Sequence, residues 1–176
     1  MPASGRSRRA WGWHRLADEW AARVVAAAGV RPGELVLDIG AGEGALTAHL
    51  VRAGARVVAV ELNPRRADVL RERFPGITVV EADAASLRLP GRPFRVVANP
   101  PYGMSSSLLR TLLAPGSRLV GADLVLQRAV VRRHASGDAP GGMRRFSQTV
   151  GLMLPRRAFL PPPQVDSAVL VVRRRR

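Results

Sequence analysis

The sequence contains no cysteine and no lysine, a single tyrosine, and only 13 acidic residues against 28 basic ones. Without cysteine there is no disulfide, no thiolate metal site and no cysteine nucleophile, which agrees with a reducing cytoplasm. No apolar run approaches the roughly 20 residues that span a bilayer, and the N-terminus lacks the apolar core of a secretory signal. A soluble cytoplasmic protein with no membrane contact is therefore expected. The shortage of acids leaves a formal net charge of +15, carried entirely by arginine. Its planar guanidinium grips phosphate at two points and stacks on bases, so the excess predicts a polyanionic partner such as nucleic acid. The hydrophobic fraction of 47% excludes wholesale disorder. A length of 176 residues predicts one domain, 1–176, whose residues 1–9 are expected to form a basic flexible arm.

Short β-branched runs alternate with amphipathic stretches, the pattern of a parallel sheet covered by helices. Strands are expected at 35–39, 56–60, 77–80, 94–98 and 122–126, with two more at 149–154 and 167–172. Helices are expected at 13–28, 45–52, 64–73 and 104–113, bounded by Gly29, Gly54, Pro64 and the Pro115-Gly116 breaker. The last two strands leave no room for a helix, so they read as an antiparallel hairpin with a long proline-rich connection. The result is an α/β, Rossmann-like, mostly parallel sheet of seven strands.

Asp38-Ile39-Gly40-Ala41-Gly42-Glu43-Gly44 closes the first strand and opens a helix. Glycines let the backbone approach a ligand closely, and the helix start offers free N–H groups. Glu61 ends the second strand, where an acid accepts from ribose hydroxyls, and Asp83 follows the third, where one accepts from an adenine amino group. The residues beside them, Leu62 and Ala84, are candidates for the same pocket. The triplet Gly40-x-Gly42-x-Gly44 lacks the gap of a dinucleotide fingerprint, and an acid two residues ahead of it suits a cationic ligand. S-adenosylmethionine, with its sulfonium and ammonium groups, fits this better than NAD.

Asn99-Pro100-Pro101-Tyr102 follows the fourth strand at its carboxyl edge. An exocyclic amine on a base is a poor nucleophile, because its lone pair is delocalised into the ring. The Asn99 side-chain oxygen and the Pro100 carbonyl can accept its two hydrogens, while Tyr102 stacks on the base. This chemistry needs no metal and no strong general base.

The chain resembles a class I S-adenosylmethionine-dependent methyltransferase of the rRNA adenine N6 group. That group holds the erythromycin-resistance (Erm) enzymes and the small-subunit rRNA adenine dimethyltransferases. The resemblance rests on the Asp38 to Gly44 turn, Glu61, Asp83, Asn99 to Tyr102 and Leu126-Gln127-Arg128. It rests most specifically on Phe159-Leu160-Pro161-Pro162-Pro163-Gln164-Val165-Asp166-Ser167, similar to the group's Phe-x-Pro-x-Pro-x-Val-Asp-Ser motif. It implies that Phe159 holds a flipped adenine opposite Tyr102, and that His14 and Leu16 contact the methionine end of the donor. It also implies Erm-like methylation of large-subunit (23S) rRNA before full ribosome assembly, macrolide-type resistance as the outcome, and a monomeric enzyme.

Three features depart from the group. Trp13 and Arg15 stand where Gln and Phe are usual, Pro101 stands where Ile or Leu is usual, and the group's C-terminal helical domain is expected to be missing. Pro101 keeps a DNA or small-molecule amino-methyltransferase open as an alternative, beside a small-subunit rRNA enzyme and a non-catalytic RNA-binding protein. For RNA contact the candidates are Arg8, Arg9, Arg128, Arg132, Arg144 and Arg145, expected to flank the mouth of the transfer site.

Overall fold

The computed structural model describes residues 13–137 and 145–176; the expected arm, Arg8, Arg9 and Arg144 lie outside them. The described chain runs β1 (Arg15–Leu16), α1 (Asp18–Ala28), β2 (Leu35–Ile39), α2 (Ala45–Arg52), β3 (Arg56–Glu61), α3 (Pro64–Arg73) and β4 (Thr78–Glu81). It continues through β5 (Phe94–Ala98), α4 (Ser105–Leu112), β6 (Leu119–Gln127), α5 (Arg128–Ala135), β7 (Phe146–Leu154), β8 (Phe159–Leu160) and β9 (Ser167–Arg174). Seven strands form one sheet in the order β4-β3-β2-β5-β6-β9-β7. Only β9 runs against the rest: it is antiparallel to β6 on one side and to β7 on the other.

The central strands are buried on both faces, which is why they read as continuous apolar runs. Side-chain alternation sorts them into two cores. Val36, Val97, Val125 and Val169 face α1 and α2, whereas Leu37, Val96, Leu124 and Leu170 face α4 and α5. Arg95 is buried within β5, yet it is satisfied. Its guanidinium donates to the Ala28 carbonyl at 2.6 Å and pairs with Asp123 at 3.1 Å and Glu34 at 3.3 Å. It thus ties the end of α1 to β5 and β6.

Two expectations change. The first helix starts at Asp18, not residue 13, because residues 15–16 are drawn into an antiparallel pairing with β8. The segment after β6, given no element from sequence, is helix α5.

Candidate active site

Each parallel strand ends at the same edge of the sheet, and the glycine turn follows β2 there. Gly40 has φ 74°, and a Cβ on it would meet Pro101 Cδ at 3.2 Å and Pro100 Cα at 3.5 Å. The turn therefore lies directly against the Asn99–Tyr102 segment only because residue 40 is glycine. Gly44, at φ 100°, passes so close to Phe74 that a Cβ would sit 2.5 Å from its ring, which lets α2 pack beside α3.

Between the turn and the N-terminal segment is a narrow recess. Of the candidate cofactor residues, Leu16, Asp38, Gly40, Ala41, Gly42 and Asn99 line it, joined by Trp13 and Arg15. Both added residues are the ones that depart from the family pattern, and that departure was their only signal in the sequence. The Trp13 indole lies over Gly42, whose Cβ position is 3.1 Å from Nε1, and the Arg66 guanidinium stacks on the indole at 3.9 Å. Sequence gave no sign of Arg66.

The acids differ in their state. Asp38 is 1% exposed and accepts from the Thr47 hydroxyl at 2.7 Å. Burial raises its pKa to about 7, opposed by the Thr47 bond and reinforced by the Glu61 charge. Glu61 is also buried, and its two oxygens accept from the Gly42 amide at 2.8 Å and the Asn63 amide at 2.9 Å. Asp83 caps a short 3₁₀ turn by accepting from the Ala85 amide at 2.9 Å. Leu62 is half exposed beside Glu61, and Ala84 is buried behind Asp83.

Asn99 donates its side-chain amide to the His14 carbonyl at 2.8 Å. A carbonyl can only accept, so the orientation of the amide is fixed and its oxygen is the free end. Tyr102 is half-buried and shares a 2.6 Å hydrogen bond with Ser167; burial raises its pKa, so it is a neutral phenol. His14 stacks on Tyr102 with ring centroids 5.7 Å apart, and its Nδ1 donates to the Pro161 carbonyl at 2.7 Å. His14 thus meets the tyrosine rather than the recess. Phe159 is fully buried, packed with Leu16 and Val24. Its ring presents no face to the mouth in this conformation. The pairing Leu16↔Phe159 and Arg15↔Leu160 explains this: alternate residues point inward together, leaving Leu160 exposed.

The arginines divide. Arg128 opens α5 at this edge, its amide donating to the Asp166 carbonyl at 3.0 Å, and its Nε is buried with no partner among the described residues. Arg132 is exposed one turn further on. Arg145, expected at the mouth, is instead at the opposite edge. It precedes β7, which runs in the same direction as β6, and its guanidinium donates to the Leu113 carbonyl at 3.3 Å. Among the described residues no group of His, Asp and Glu is placed to hold a metal ion, and no helix is long and apolar enough to cross a membrane.

The ribosomal RNA adenine dimethylase family matches residues 6–176. The chain belongs to that family. It is 36% identical to ribosomal RNA small subunit methyltransferase A of Leptothrix cholodnii, over 93% of this chain and 66% of the relative. It is 39% identical to an rRNA methyltransferase of Streptomyces thermotolerans, over 97% of this chain and 60% of the relative. The chain thus spans a little under two thirds of the length of these curated relatives. The crystal structure of the 23S rRNA methyltransferase ErmE superposes with a TM-score of 0.81 at 34% identity, covering 91% of this chain and 69% of that one. A dimethyladenosine transferase from Plasmodium falciparum gives 0.80 at 25% identity, over 92% and 64%. The fold is that of class I methyltransferases, and the cofactor of this rRNA adenine dimethylase family is S-adenosylmethionine. The residues present fit it: a glycine-floored recess, a buried carboxyl at Asp38 for a cation, and Glu61 at the next strand end.

Proposed function

We propose that this protein methylates N6 of an adenine in rRNA, and that the rRNA is that of the large subunit. The observation that carries the transfer chemistry is Asn99, anchored through its amide to His14 with its oxygen free, between the recess and Tyr102. When bound, S-adenosylmethionine supplies an electrophilic methyl group on sulfur. Asp38 and Trp13 hold and cover that ligand, and the Gly40–Pro101 contact brings its recess against the transfer site.

Tyr102 offers its ring to the flipped base, with Ser167 fixing the ring angle. Asn99 Oδ1 and the Pro100 carbonyl accept the two hydrogens of N6, which localises the nitrogen lone pair toward the methyl group. With the methyl group taken up by N6, the surplus proton on that nitrogen would pass to water while Asn99 Oδ1 and the Pro100 carbonyl hold the amine in place. No strong base is needed, because the proton is lost from a nitrogen that is already cationic. Arg128 and Arg132 supply phosphate contacts at the mouth.

The large-subunit reading is supported by the likeness to the 23S rRNA methyltransferase ErmE, and macrolide-type resistance in a cytoplasmic monomer would follow from it. A second reading, small-subunit rRNA, is favoured by the relatives that carry that name. Protein-free large- and small-subunit rRNA, incubated separately with labelled donor, distinguishes them. Label in methyladenine of the large-subunit RNA supports the proposal, label confined to the small-subunit RNA supports the second reading, and label in neither overturns both.

A further inference from the structure

The strand directions place a second group of arginines at the edge of the sheet opposite the glycine turn. Arg56 begins β3, Arg92 lies just ahead of β5, and Arg118 immediately precedes β6. Because β9 is antiparallel, Arg175 arrives at this edge too, its amide bonded to the Arg145 carbonyl. All four are exposed. Arg56 and Arg92 line an open cleft together with Arg31 and Arg95, around a single acid, Glu34; Arg118 and Arg175 lie further along the same edge.

The acids here are already engaged. Glu34 is held by Arg31 at 3.3 Å and Arg95 at 3.3 Å. Asp123 is held between Arg95 at 3.1 Å and Arg173 at 2.9 Å. Arg56, Arg92, Arg118 and Arg175 have no ion-pair partner among the described residues. The contrast with Arg173, Arg174 and Arg145 is informative: those bond the carbonyls of Ala122, Leu119 and Leu113 and serve the fold. The side chains of the unpaired ones make no hydrogen bond or ion pair among the described residues.

The row from β3 to β6 crosses three inter-strand gaps, roughly 14 Å at about 4.8 Å each. That is too long for one phosphate group and suits successive phosphates of one chain. Arginine supplies the two-point grip such a chain requires. The concave shape suits a polynucleotide backbone better than a flat lipid surface, and the one large exposed hydrophobic side chain lining it is Val120.

We infer that this cleft and its arginines form a second RNA-backbone contact, on the far side of the sheet from Asn99. The inference rests on the RNA reading of the active site and extends it. A five-residue strand spans about 17 Å, so RNA held at both the mouth and this edge has to run along the side of the domain between them. The substrate must be a folded RNA whose flanking helix or strand passes around the domain.

The test compares salt dependence of binding to protein-free rRNA between 50 and 200 mM salt. One variant carries Arg56→Gln, Arg92→Gln and Arg118→Gln. A charge-matched variant carries Arg23→Gln, Arg65→Gln and Arg71→Gln on the outer faces of α1 and α3. Thermal melting confirms that both fold. The edge variant should flatten the log–log slope by about 2 to 3, one per lost phosphate contact, with the matched variant close to the unaltered chain. Equal flattening in both variants, or none in the edge variant, would overturn this second contact while leaving RNA binding standing. Failure of the unaltered chain to bind RNA, or a preference for anionic vesicles over RNA, would overturn the contact and the RNA reading together.

Discussion

Glu61 accepts the Gly42 amide at 2.8 Å, so the acid at the end of β3 braces the glycine turn at the end of β2. Its second oxygen takes the Asn63 amide at the start of α3. An acid expected to receive a ribose therefore also sets the shape of the turn beside it. Glu61→Gln keeps the side chain's size but can keep at most one acceptor, so it should weaken donor binding about tenfold or more and lower the melting temperature. Calorimetric titration with the donor product S-adenosylhomocysteine and a thermal melt check both.

Asn99→Ala should lower the methyl-transfer rate by about 10² to 10³, the usual cost of removing a preorganised polar group at the reacting atom. Affinity for rRNA should change little, since the residue does not touch phosphate. Single-turnover transfer beside filter binding separates the two effects.

Asp38 gives a pH signature. It ionises near 4 when unfolded, whereas burial raises it to about 7 in the fold. Between those values the folded protein keeps a proton that the unfolded chain has lost. This residue's contribution to stability therefore falls as pH rises from about 4 to about 7. A cationic donor selects the ionised form, so donor affinity should climb as pH rises toward and through 7, with proton release on binding. Titration calorimetry in buffers of different ionisation heat reads that proton. Asp38→Asn should abolish the release and flatten the profile.

Trp13 and Arg66 close one side of the recess through a stacking contact at 3.9 Å. Trp13→Ala should weaken donor binding about tenfold by removing the indole cover, and Arg66→Gln less, since a cation–π contact contributes only about 0.5–1 kcal/mol when partly exposed. Donor binding should shift tryptophan emission in the unaltered chain and lose most of that shift in Trp13→Phe.

The seven main strands were legible because a fully covered parallel sheet writes itself as short apolar runs; residues 35–39 and 94–98 match β2 and β5 end to end. The glycine turn and Asn99 were legible because both depend on local chemistry at a strand end. What was missed depends on pairing at a distance. The β1–β8 pair joins residues about as far apart as the chain allows, and it turns Phe159 inward and His14 onto Tyr102. Helix α5 escaped notice because it buries only Val131 and His134, with Val130 half-buried beside them, beneath an arginine-rich surface. Arg145 went to the opposite edge because the insertion of β9 between β6 and β7 sets the direction of β7.

The buried Arg95–Asp123 pair was likewise invisible, and it carries a stability prediction. Arg95→Met strips Asp123 of one cation and leaves the Ala28 carbonyl without its donor. Removing one partner of a buried pair costs up to about 3–5 kcal/mol when the other charge is left alone, and the cost falls below that here because Asp123 keeps Arg173 and Glu34 keeps Arg31. Chemical denaturation should show that loss, and Asp123→Asn a smaller one, because Arg95 retains Glu34 and its carbonyl partners.

The central claim is that this site transfers methyl groups to adenine N6 in rRNA through Asn99. Its most direct test is mass-spectrometric mapping of rRNA after reaction with the unaltered chain and with Asn99→Ala. The account predicts N6-methylated adenine at a defined large-subunit position with the unaltered chain, and at most about a hundredth of that yield with the variant at equal, early reaction times. Equal methylation by both, or methyl groups on another atom, would contradict it.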